Sequence, residues 1–77
     1  MEIEVNNTKS GDESYTLNMT ILHKGVKYQG DVVFYSYGGG LEEGDMELGW
    51  FEDTHGILLD EDLIDRSKVF ETVLQNL

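Results

Sequence analysis

The sequence predicts an α+β fold. Its sheet is antiparallel and four-stranded, with strands at about 2–6, 15–23, 26–37 and 45–52, and one C-terminal helix at about 61–76 packs on one face. Three observations predict it. Two runs of alternating apolar and polar residues flank a short turn. The C-terminal segment carries apolar residues at helical spacing. The order, strands followed by a single helix, suits an antiparallel sheet with the helix laid across it.

The first strand is Glu2 to Asn6, with Ile3 and Val5 inward. Asn7 to Ser14 reads as a polar loop. Tyr15, Leu17, Met19 and Ile21 then alternate with Thr16, Asn18 and Thr20, the period of a half-buried strand. Val26 to Tyr37 is rich in Val, Phe and Tyr, and Lys24-Gly25 suits a two-residue turn at positive φ. A loop at 24–25 makes paired positions sum to 49, so Ile21 faces Tyr28, Leu17 faces Val32 and Tyr15 faces Phe34. A one-residue slip would mix the faces, so pattern and turn together set the register. Gly30 falls opposite Met19, as a bulge or as room for that side chain.

Gly38 to Gly44 is a glycine-rich loop. Asp45 to Phe51 alternates, with Met46, Leu48 and Trp50 inward and Asp45, Glu47 and Gly49 outward. Ile57 to Leu59 is a short strand or the approach to the helix. Asp60 is the candidate N-cap, with Glu61 and Asp62 where the helix dipole favours negative charge. Leu63, Phe70, Leu74 and Leu77 form the apolar stripe, flanked by Ile64, Val69 and Val73.

The chain has 77 residues, enough for a single domain spanning 1–77. A chain this short buries only about 60% of its unfolded surface, so stability is thin. Hydrophobic residues make up 39%, which is too many for a disordered acidic tail. Cysteine is absent, so there is no disulfide framework and no thiolate zinc site. That absence, with no signal-like N-terminus and no long apolar run, points to a cytoplasmic protein away from membranes.

Charge is the main functional signal. Sixteen acids against five bases give a net charge of −11. Between Tyr28 and Asp65 there are eleven acids and neither Lys nor Arg, while elsewhere five acids balance five bases. Such a field repels nucleic acid and anionic membrane and attracts basic surfaces.

The residue pattern gives catalysis little support. His23 and His55 fall in turns, and no signature sets Ser10, Ser14, Ser36 or Ser67 beside them. Carboxylates in loops lack the burial that separates an acid from a base. Asp60, Asp62 and Asp65 resemble the start of a calcium loop, but its sixth position is Asp65 rather than Gly. No cofactor and no dedicated metal site are expected. Gly38-Gly39-Gly40 runs into Glu42 and Glu43, which would repel a phosphate.

The expected binding residues are Glu42, Glu43, Asp45, Glu47, Glu52, Asp53, Asp60, Glu61 and Asp62, with Tyr35, Tyr37 and Phe51 as apolar anchors. Outward strand residues recur about every 6.6 Å, so these acids would form a dense line of charge comparable to a nucleic-acid strand. In size and charge the chain resembles the DNA-mimicking inhibitors that phages and mobile elements direct against restriction and CRISPR-type nucleases, and the immunity proteins of nuclease toxins. The resemblance implies a non-enzymatic inhibitor of a basic nucleic-acid-binding protein or nuclease, with no direct contact to nucleic acid. One alternative is a homodimer or assembly module built through the Tyr35/Tyr37 face, with acidity serving solubility. Another is a divalent-cation binder.

Overall fold

A computed structural model of the chain describes residues 1–35 and 42–77. The elements are β1 (Glu2–Ser10), β2 (Ser14–His23), β3 (Val26–Tyr35), a 3-10 turn at Glu43–Asp45, β4 (Met46–Leu48), a 3-10 turn at Glu61–Leu63 and α1 (Arg66–Gln75). The strands form one antiparallel sheet in the order β1-β2-β3-β4. The fold is α+β, as the sequence predicts. Tyr37 and most of the glycine-rich loop lie outside the described residues.

The central hairpin follows the predicted register, from Ser14 against Tyr35 to His23 against Val26. Lys24 at φ 50° and Gly25 at φ 79° supply the left-handed pair of a type I′ turn, whose twist matches that of the strands. Leu17, Met19, Ile21, Val32 and Phe34 on its inner face are fully buried.

β1 is longer than its side chains suggest. The expected loop at 7–14 is strand as far as Ser10, and only 11–13 turn. Asn6 is an extra residue between Val5, opposite Met19, and Asn7, opposite Asn18. This bulge keeps the ladder running through a polar segment. Asn6 donates from Nδ2 to Asn18 Oδ1 at 3.0 Å and to Thr20 Oγ1 at 2.8 Å.

A second irregularity decides the surface. β4 pairs with β3 only from Phe34 opposite Met46 to Val32 opposite Leu48. Gln29 and Glu52 then exchange backbone hydrogen bonds of 2.8 and 3.1 Å, one position out of that register. The extra residue reverses the alternation. Trp50, expected inward, is 78% exposed, and Phe51, expected as a surface anchor, is 1% exposed. Gly30 makes this feasible: a Cβ there would lie 2.5 Å from the Trp50 carbonyl oxygen and 2.9 Å from the Phe51 ring. The room at Gly30 thus serves the Phe51 ring and the Trp50 backbone, with Met19 paired opposite.

The predicted helix at 61–76 divides in two. Asp60 Oδ1 accepts from Asp62 N at 3.0 Å and caps only the 3-10 turn. Ile64 is extended, with φ −89° and ψ 122°, and drops into the core. Asp65 then caps α1, accepting from Lys68 N at 3.2 Å. The buried stripe is Val69 and Val73, and Phe70 stacks on Phe34 at 5.8 Å between ring centroids. Leu63, Leu74 and Leu77, expected in the stripe, are exposed. Driving Ile64 into the core costs the first helical turn and resets the helix phase.

Arg66 ties α1 to the chain ahead of β4. Its Nη2 donates to the carbonyls of Glu43 at 3.0 Å and Met46 at 2.7 Å, and its Nε lies 3.7 Å from Glu43 Oε1. Arg66→Met is expected to cost about 1–2 kcal/mol, because it orphans two carbonyls that bond a cation. Urea unfolding should show a lower midpoint at an unchanged m value.

Candidate functional site

The inner face of the sheet carries α1, Ile64 and Leu59. The opposite face is polar and centred on Asn18. Asn18 Oδ1 accepts from Asn6 Nδ2 at 3.0 Å and from Gln29 Nε2 at 2.7 Å, and its own Nδ2 donates to Asp31 Oδ1 at 2.9 Å. These amides form a fixed floor across β1, β2 and β3. Each bond holds a rotamer that would otherwise be free in water.

Beyond the bulge, 51–59 folds back on itself. Leu59 N donates to the Phe51 carbonyl at 2.8 Å, and Asp53 N to the Ile57 carbonyl at 3.0 Å. The segment 57–59, expected as a short strand or the approach to the helix, is therefore the return arm of a tight hairpin. Asp53 organises its turn, accepting at Oδ1 from Ile57 N at 3.0 Å and from His55 N at 2.8 Å. The hydrogen bond from the Ile57 amide holds the Asp53 carboxyl below the ordinary carboxylate range; desolvation opposes it, and the His55 amide and imidazole add smaller lowering contributions. A carboxyl depressed on folding stabilises the turn above its unfolded value and loses that effect as pH falls through the lower folded one. The Ile57 and His55 amide NMR shifts should therefore titrate with a midpoint below the ordinary value of about 3.9. In Asp53→Asn this titration should vanish while the turn persists, because the amide oxygen still accepts.

Three grooves run together along the β4 side. One is lined by Met46, Glu47, Leu48, Glu61, Asp62 and Ile64, with Arg66 as its one cation among the described residues. The next shares Leu48, Glu61 and Ile64 and adds Trp50, Leu58, Leu59 and Asp60. The third, about 740 Å³, lies on the outer face of the sheet and shares Trp50 with the second. Its floor includes Asn18 and Gln29, and its walls include Asp31, Glu52 and Asp53. Trp50 is thus a ridge between two adjoining grooves. Leu58, at 45% exposure, adds apolar surface in the second groove.

Of the sequence-predicted residues, Glu47, Glu61 and Asp62 meet in the first groove, Asp60 joins Glu61 in the second, and Glu52 and Asp53 flank Trp50 in the third. Glu42, Glu43 and Asp45 stand at the 3-10 turn and line none of these grooves. Glu43 is moreover engaged by Arg66. Tyr35 is half-buried at the end of β3, and Tyr37 lies outside the described residues. Phe51 is core, and its neighbour Trp50 is the exposed aromatic.

Sequence reasoning missed Trp50, Leu58, Asp31 and the Asn18 floor. A signal for Trp50 is present: Gly30 lies inside β3 and Gly49 directly after β4, and glycine at such points marks a bulge or a close backbone approach.

Among the described residues, no group of three or more His, Asp and Glu side chains is arranged to hold a metal ion. Nor is any helix among them long and apolar enough to cross a membrane. The chain matches no protein-family model, no curated protein and no solved structure.

Proposed function

We propose that this is a small acidic, non-enzymatic interaction protein that occupies the basic surface of a nucleic-acid-binding protein and keeps nucleic acid from it. The observation that carries the reading is an exposed tryptophan set within carboxylate-lined grooves. Acids serving only solubility need no such residue, whereas tryptophan is among the commonest binding hot spots. The carboxylates steer the encounter, and Trp50 with Leu58 supplies apolar area to bury. Glu47, Glu61 and Asp62 extend the charged surface along one side of the molecule.

The test is capture from a lysate of the source organism on the immobilised protein at low salt, followed by elution with duplex DNA. A nucleic-acid-binding protein should be retained and then displaced by the DNA. The variant Glu47→Lys/Glu61→Lys/Asp62→Lys should retain it at least about tenfold less while keeping its far-UV circular dichroism. Equal retention by the variant would contradict the reading. Sedimentation separates it from a dimer through the Tyr35 face: the reading expects a monomer at moderate salt.

A further inference from the structure

Among the described residues the outer face of the sheet carries no helix, and its β4 end has a chemistry of its own. Trp50 offers an aromatic face that is 78% exposed. Asp31, Glu52 and Asp53 line the same groove, against the single ammonium of Lys27 near the hairpin turn. Two of the three carboxylates already have one oxygen committed. Asp31 Oδ1 accepts from Asn18, and Asp53 Oδ1 accepts from the turn amides. Each is thereby held in one orientation with its second oxygen in reserve. Gln29 spends Nε2 on Asn18, which leaves Oε1 as a further acceptor.

We propose that this groove receives an arginine side chain of the basic partner, its guanidinium stacked on Trp50 and hydrogen-bonded to the carboxylates of Asp31 and Glu52. The proposal rests on the interaction reading above and adds the residue type recognised. Arginine suits the site better than lysine for two reasons. Its planar cation stacks on an indole face, where a compact, strongly hydrated ammonium gains less. Its five donors in a fixed fork can also engage several acceptors of the groove at once, whereas lysine brings a point charge. The amide floor favours this further, because the acceptors are ordered before the ligand arrives.

The test uses oligoarginine and oligolysine peptides of equal length and charge. Their binding to the intact protein is followed by the anisotropy of a dye on the peptide at low salt. Oligoarginine should bind about five- to tenfold more tightly than oligolysine. In Trp50→Ala, with its fold verified by circular dichroism, the two affinities should converge. In Asp31→Asn the preference should shrink, because one carboxylate becomes a neutral amide of the same shape. Equal binding of both peptides to the wild-type protein, or a preference that survives Trp50→Ala, would overturn the arginine assignment while leaving the basic-partner reading standing. Failure of both peptides to bind the wild type would overturn both.

Discussion

Phe51→Ala is expected to cost about 3–5 kcal/mol, while its neighbour Trp50→Ala is expected to leave stability within about 0.5 kcal/mol of the wild type. Phe51 is among the largest fully buried side chains, and its ring sits under Gly30. Removing it leaves a cavity in a core too small to close over it. Small domains hold only about 5–15 kcal/mol in all, so the variant should be partly unfolded at room temperature. Partner binding should reverse the order. Trp50→Ala should lose about 2 kcal/mol of binding energy, roughly thirtyfold in Kd, as expected for a truncated hot spot. Urea unfolding and partner affinity, measured on both variants, check the pair. A costly Trp50 and a neutral Phe51 would mean that the alternation of β4 continues through 49–51 without the extra residue.

Gly30→Ala is expected to destabilise by about 1–3 kcal/mol and to weaken partner binding as well. The added methyl meets two different neighbours. The Phe51 ring, at 2.9 Å, can be trimmed away, but the Trp50 carbonyl oxygen, at 2.5 Å, is backbone and must move. Combining Gly30→Ala with Phe51→Leu should therefore recover only part of the loss, a coupling that a double-mutant cycle reads directly. Shifting the Trp50 backbone also shifts the ridge between the two grooves. A methyl added on the inner face of the sheet thus reshapes the groove that the Gly30 backbone lines on the outer one. If Gly30→Ala unfolds at the wild-type urea midpoint, the close approach of 49–51 to β3 is wrong.

The legible and illegible parts of this fold differ in kind. The β2–β3 register was readable because turn chemistry and side-chain period are both local and point to one answer. The bulges at Asn6 and Trp50 were not. Each is a single added residue, and its gain lies across the sheet, in the Asn18 amides for one and in the space at Gly30 for the other. A period-two pattern carries straight through such a point and inverts every assignment after it. That is why Phe51, rather than Trp50, reads as the surface anchor. The helix start failed for a related reason. Asp60 and Asp65 are both good N-caps, and only the burial of Ile64 decides that the α-helix begins at the second. The acids were legible as a group, since charge is visible in sequence. Their division was not: the backbone carries Glu47, Glu61 and Asp62 to one groove, and Arg66 at its edge engages Glu43.

The fluorescence of Trp50, the only tryptophan in the chain, tests the central claim most directly. In the free protein its emission should resemble that of indole in water and be readily quenched by acrylamide. In the complex with the captured basic partner, emission should move to shorter wavelength and quenching should fall. Blue-shifted, protected emission in the free protein would return Trp50 to the core, and an indole equally open to acrylamide in the complex would remove it from the interface.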